Sequence, residues 1–266
     1  MADQRNGRGD FVINMERSRS GEVLGTRINV ETYASALERV AAWAQSGKVA
    51  CVAAANTHLV SEASANPGYA EVLRGFDLVL PDGMPLVWSL RLDGHEIHDR
   101  VYGPYFMEHV IRHSPAGLRH YFFGGTEECL AALCEGVKRL NPEVVIAGTM
   151  SPPFGKWDEA TEAGLIQHIN DAQPDFVWVA LGGVKQETWI ATNRDRFTRG
   201  VFLAVGDAFV LLAGLRGYAP DWMQRSGLTW IYRLIQEPRR LIGRYLTNNT
   251  RFVVAFLRDR WRKAHG

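Results

Sequence analysis

The chain has 266 residues, 46% hydrophobic content and a formal net charge of +1, enough for one large core or one core with an appendage. Three cysteines, Cys51, Cys129 and Cys134, without C-x-x-C spacing, exclude a disulfide framework or a cysteine metal site and point to reduced thiols. No apolar run reaches the ~20 residues of a membrane helix, and the polar start MADQRNGRGDFVINMERSRSG lacks the apolar stretch of a signal peptide.

Residues 1–20 are expected to be a disordered polar lead. Strand-like and helix-like segments then alternate. ETYASALERVAAWAQSGK carries Tyr33, Leu37, Val40, Ala41 and Ala44 at helical spacing and stops at Gly47. VACVAAA reads as a strand leading to Asn56, Thr57 and His58. HLVSEASANPGYAEVLRG reads as helix interrupted at Pro67. FDLVLP is a strand ending at Asp82-Gly83, followed by the helical PLVWSLRL and GPYFMEHVIRHS, the latter with Pro104 in its first turn. RHYFFGG is a strand ending in Gly124-Gly125, and Thr126 opens the helix after it. EVVIAGTM is a strand, SPPFGKWD a loop and EATEAGLIQHINDAQP a helix. DFVWVALGG is a strand ending in Gly182-Gly183, before Lys185, Gln186 and Glu187. GVFLAVGD is the last strand and ends at Asp207.

The strands are apolar throughout, as in a parallel sheet covered by helices on both faces. The expected fold is α/β: a Rossmann-like, doubly wound, mainly parallel sheet over residues 21–215. Residues 216–266 form a helical appendage of different texture. There ten arginines and Lys263 face only Asp221, Glu237 and Asp259, a net charge of +8. Pro238 divides the appendage into two helical pieces. In the second, Leu241, Tyr245, Phe252, Phe256 and Leu257 form an apolar stripe flanked by arginines, which suits a helix lying on an anionic membrane surface. The bland alternative is a helix packed on the body or on a second copy.

In a parallel sheet the strand ends share one edge, where open α/β sheets bind ligands. Asn56, Asp82, Gly83, Gly124, Gly125, Gly182, Gly183 and Asp207 gather there. Glycine pairs before helices allow close backbone approach, and helix N-termini favour phosphate, which fits a nucleotide-sugar diphosphate. Taken singly, these residues are ordinary turn and cap chemistry. The sequence has no G-x-G-x-x-G after the first strand, no Walker loop, no H-E-x-x-H and no G-x-S-x-G. It also lacks D-x-D, so neither a metal nor any other cofactor is expected, and a leaving diphosphate would be stabilised by cations and backbone N–H groups. An acidic body without a nucleic-acid motif argues against nucleic-acid binding.

The segments LVLPDGMPLVW, RVYGPYFMEHV, YFFGGTEE, VWVALGGVKQE, VGDAFVLLAG and YAPDWMQRSGLTWIYRLIQEPRRLIGRYL occur in order and span about residues 22–250. Together they resemble the WecG/TagA/CpsF glycosyltransferase family. The resemblance implies an inverting, metal-independent enzyme. It would move a sugar from a UDP-sugar to a polyprenyl-diphosphate-linked sugar at the cytoplasmic face of a bacterial cell membrane, bound peripherally and able to self-associate. It implies Asp82 as catalytic base with Thr57 beside it, and Arg225, Arg233, Arg239, Arg240 and Arg244 at the acceptor diphosphate or membrane. The donor would touch Asn56, Gly83, Gly124, Gly125, Gly182, Gly183, Lys185, Gln186, Glu187 and Asp207. The motif variants look closest to the exopolysaccharide branch, so UDP-glucose with a β-1,4 linkage is the expected donor chemistry. UDP-N-acetylmannosamine or its uronic acid, for teichoic acid or common antigen, is the alternative. A non-catalytic binder of lipid-linked sugars is the alternative of another class.

Overall fold

The computed structural model describes residues 19–265, so most of the expected polar lead lies outside the described residues. A hairpin comes first: β1 (Ser20–Val23) pairs antiparallel with β2 (Thr26–Asn29). The sequence reading did not anticipate it, because four-residue strands are too short to show a period. Its two-residue turn places both Leu24 and Gly25 at positive φ, 52° and 80°, the geometry that matches the twist of paired strands. Asn29 Oδ1 accepts the Val79 N–H at 2.8 Å and ties the hairpin to the body.

Six further strands form one parallel sheet: β3 (Ala50–Ala55), β4 (Leu78–Pro81), β5 (Arg119–Gly124), β6 (Val145–Met150), β7 (Phe176–Ala180) and β8 (Val201–Ala204). Their order is β4-β3-β8-β7-β5-β6. The inner strands are buried on both faces, as expected, whereas the edge strand β6 is half-buried along its whole length. Phe176, Val177, Trp178 and Val179 of β7 are fully enclosed, each large side chain contributing roughly 1.5–3 kcal/mol of burial. One face is covered by the helices Thr57–Ala65, Pro67–Arg74, Met84–Leu92, Glu159–Asp171 and Lys185–Asn193. Tyr33–Gln45, Gly103–His113, Glu127–Leu140 and Ala208–Leu212 cover the other. The buried indole N–H of Trp178 donates to His120 Nδ1 at 3.1 Å, and burial holds the His120 pKa down at about 4, so the ring stays a neutral acceptor.

The appendage comprises the helices Asp221–Arg225, Thr229–Gln236 and Pro238–His265, with the break at Pro238 where the sequence places it. The long helix lies along Thr57–Ala65. Phe252 is buried and Phe256 packs against the same core, but Leu257 is exposed with Val253, Val254 and Trp261. The expected single stripe is therefore split between a packed face and an open one. The side chains of Leu241 and Tyr245 lie outside the described residues. Arg260 fixes the far end by hydrogen-bonding Asp93 at 2.6 Å and the Ser89 carbonyl at 3.0 Å. No helix of the described residues is long and apolar enough to cross a membrane.

Candidate active site

Strand register assembles the site. Ala55 of β3 pairs with Pro81 of β4, and Ala53 pairs with Ala204 of β8. Asn56, Asp82 and the Val205–Asp207 turn therefore leave the sheet side by side. Asn56 caps the next helix, its Oδ1 accepting the His58 and Leu59 N–H groups at 3.0 and 3.3 Å. Thr57 is the first residue of that helix and is half-buried on the same edge. Gly83 is the N-cap of Met84–Leu92.

Asp82 accepts the Gly103 N–H on Oδ1 at 2.6 Å, from the first residue of the helix Gly103–His113. A Cβ on Gly103 would sit 3.2 Å from the Ala54 Cβ, so the helix start lies directly over the strand ends. Burial pushes the Asp82 pKa up to about 6, aided by the Asp207 charge. The Gly103 N–H, Arg100 and Arg233 oppose the rise. A carboxyl held near 6 is ionised at neutral pH yet basic enough to take a proton in a transition state.

Around Asp82 stands a ring of paired charges. Arg100 is buried; its Nη2 donates to Thr229 Oγ1 of the appendage at 2.9 Å, and its guanidinium lies 4.6 Å over the Tyr102 ring. Asp207 pairs with Arg216 and, at 2.7 Å, with Arg233, while Arg216 also faces Glu237 at 3.6 Å. The appendage is thereby latched to the Asp82 edge. Of the five arginines the sequence singled out, Arg233 is placed in this ring. Arg239 is exposed at the start of the long helix, and the side chains of Arg225, Arg240 and Arg244 lie outside the described residues. Sequence reasoning missed Arg100 and Arg216. Arg100 stands in the RVYGP segment, just before a helix start, and only its burial sets it apart from other arginines. Arg216 stands at the first position of the basic tail, where neighbouring arginines mask it.

The glycine pairs gather at the other half of the edge. β5 leads outward to β6 and β7 leads inward to β8, so the sheet reverses its winding between them, the usual ligand position in such sheets. Gly124, with φ +119°, is pressed against the Ala180 carbonyl, and Gly125 accepts Ser151 Oγ at 2.7 Å. Gly182 and Gly183 are exposed, and a Cβ on Gly183 would touch His58 and Leu59 at 3.7 Å, which joins the two halves. Lys185 donates to the Gly155 carbonyl at 3.1 Å and lies 4.5 Å over the Trp157 ring.

Gln186 and Glu187 are the remaining residues expected at the donor. Both are buried. Gln186 Nε2 donates to Glu187 Oε1 at 2.8 Å, its Oε1 accepts the Gly206 N–H at 3.2 Å, and Tyr69 OH donates to Glu187 at 3.4 Å. Burial raises the Glu187 pKa. These two side chains hold the Gly206–Asp207 turn from beneath. The helix Lys185–Asn193 turns them into the core because they follow its first residue on the sheet-facing side. Among the described residues no group of three or more His, Cys, Asp and Glu could hold a metal ion.

The profile of the Glycosyl transferase WecG/TagA/CpsF family matches residues 21–266. Three relatives share the name N-acetylglucosaminyldiphosphoundecaprenol N-acetyl-beta-D-mannosaminyltransferase. That of Bacillus spizizenii is 32% identical over 212 residues, covering 79% of this chain and 80% of its own. That of Bacillus subtilis strain 168 is 29% identical, covering 72% and 73%. That of Staphylococcus aureus strain MW2 is 25% identical, covering 86% and 90%. These names overturn the expectation of a UDP-glucose β-1,4 transferase of exopolysaccharide synthesis. The motif variants behind that expectation flank Asp82 and Gly103, and their residue types do not distinguish a hydroxyl from an acetamido group on the sugar. The match over nearly the whole described chain, with a fold and strand edge of the kind its motifs imply, shows that this protein belongs to the WecG/TagA/CpsF family of glycosyltransferases.

Proposed function

We propose that the enzyme moves N-acetylmannosamine from a UDP donor to N-acetylglucosamine carried on a polyprenyl diphosphate. The observation that carries the mechanism is Asp82, half-buried beside Arg100 and Arg233 with its pKa raised to about 6. The acceptor hydroxyl oxygen attacks the anomeric carbon and its proton passes to Asp82. The bond from that carbon to the diphosphate breaks, and UDP leaves with the electron pair. Arg100, Arg216 and Arg233 stabilise the charge that develops there, so one carboxylate suffices and no metal is needed. The donor lies along the strand edge. Its sugar rests near Asn56, Thr57 and Gly83, and its nucleotide near Gly124, Gly125, Gly182, Gly183 and Lys185. Four strand spacings, roughly 19 Å, separate β4 from β5.

A donor panel tests this reading. UDP-N-acetylmannosamine, UDP-N-acetylglucosamine and UDP-glucose would be offered with N-acetylglucosamine on a short-chain prenyl diphosphate, with and without EDTA. Transfer is expected from UDP-N-acetylmannosamine, unchanged by EDTA. Folded protein that transfers nothing from it would refute the assignment, and loss of transfer in EDTA would refute metal independence.

The enzyme reaches its lipid-linked acceptor by docking peripherally on the cytoplasmic face of the cell membrane, through the open side of the long helix. Exposed Val253, Val254, Leu257 and Trp261, with Arg251, Arg258 and Arg262 also exposed, support this. Vesicles rich in anionic lipid are expected to float the wild type, less so in high salt. Joint replacement of Leu257 and Trp261 by alanine should weaken binding about tenfold or more. Undiminished flotation of that variant would rule the helix out as the anchor.

A further inference from the structure

The helix Gly103–His113 has two faces with separate duties. Its first residue hydrogen-bonds Asp82. Its outer face lines a cleft of about 440 Å³, closed on the other sides by Tyr33, the Asp99–Arg100 segment and Gln224 of the appendage. That volume suits one or two sugar rings.

The chemistry of the cleft selects among ligands. Its formal charges balance: Asp99 and Glu108 face Arg100 and Arg112, and Glu108 pairs with Arg112 at 2.9 Å. Burial and the neighbouring His113 lower the His109 pKa and favour its neutral ring. A phosphate or nucleic acid would want a surplus of positive charge, and a lipid chain would want apolar walls. Here there are ring faces and polar groups of both kinds instead. Tyr33 and His109 lie 5.8 Å apart at 60°, and Tyr105 accepts a 2.6 Å hydrogen bond from Gln224. An uncharged, hydroxyl-rich ring with apolar C–H faces matches this lining.

The position of the cleft supplies the second argument. Arg100 is shared between the cleft wall and the charge ring around Asp82. The appendage closes the opposite wall through Gln224 and through Tyr218, which stacks on Tyr105 at 5.0 Å. The cleft therefore runs from its Asp82 end, marked by Arg100, to the appendage residues Gln224 and Tyr218, the span an acceptor sugar has to bridge between its reacting hydroxyl and its carrier. We propose that this cleft is the acceptor-sugar subsite and that His109 and Glu108 hydrogen-bond the sugar. The inference rests on the reading of the acceptor given above.

Binding, not turnover, tests it. Calorimetry in the presence of UDP would compare a short-chain prenyl diphosphate bearing N-acetylglucosamine with the same diphosphate lacking the sugar. The wild type is expected to bind the sugar-bearing probe at least about tenfold more tightly, the size of one or two hydrogen bonds. His109→Ala and Glu108→Ala, each checked for an unchanged melting temperature and UDP affinity, should each remove most of that preference. The same preference in both variants, or none in the wild type, would overturn the proposal. If the preference behaves as expected while no donor supports transfer, the subsite stands and the transfer reading falls.

Discussion

Replacing Asp82 by asparagine is expected to lower turnover by roughly two or more orders of magnitude, the usual scale of general-base catalysis, with the strand edge intact. Asparagine keeps an oxygen where Oδ1 accepts the Gly103 N–H at 2.6 Å, so the helix start has no reason to move. The pH profile gives a second readout. Because burial raises the Asp82 pKa from 3.8 to about 6, the wild type should gain activity as pH rises through about 6, where the base becomes ionised. The variant should lose that limb. Stability runs the opposite way. A carboxyl that holds its proton more tightly when folded contributes less stability as pH rises from 3.8 to about 6. At pH 7 the wild type carries a buried charge that asparagine lacks, so Asp82→Asn should melt higher there, with the gap closing below pH 3.8. Near-normal turnover in this variant would remove Asp82 from the role of base.

Gly124→Ala should be the most damaging single methyl group at the strand edge. The added carbon would lie 2.4 Å from the Ala180 carbonyl oxygen, and Gly124 holds φ +119°. The obstacle is backbone, fixed by the Gly124–Ala180 pairing of β5 with β7, so neither partner can yield without opening the sheet. Strain and overlap together should cost about 2–4 kcal/mol. Gly182→Ala separates the two causes. Gly182 also has positive φ, +91°, but nothing lies within 4 Å of its missing Cβ, so only the conformational cost of about 1 kcal/mol is expected. Denaturant midpoints would measure both. Equal losses would mean that close approach to β7 is not what requires Gly124.

The two glycines also show where sequence reading stops. Each follows an apolar strand as half of a Gly-Gly pair, and nothing local distinguishes them. Only the neighbouring strand makes one of them indispensable. The same holds for Glu187, read as a donor contact from its place after Gly182-Gly183 and found buried beneath the Gly206 turn. Charge on a helix start suggests solvent or ligand, but packing turned this side chain inward, where Gln186 and Tyr69 satisfy it.

The sequence by itself determined the parallel sheet, because its central strands, apolar at nearly every residue, need cover on both faces. It also placed Asp82 at the edge, because the residue after a buried parallel strand leaves the sheet on the ligand side. These are consequences of short-range period and chain direction. Tertiary structure decided which cations meet that acid. Arg100 and Arg216 are ordinary arginines in the sequence; Arg100 reaches the site because the Val101 N–H pairs with the Pro81 carbonyl at 2.9 Å, and Arg216 because the appendage folds back and latches through Asp207 and Thr229. It also decided how the appendage divides, with Phe252 packed and Leu257 left open on one helix. Such outcomes depend on contacts between separate elements, Arg100 with Thr229 being 129 positions apart, which no local pattern encodes.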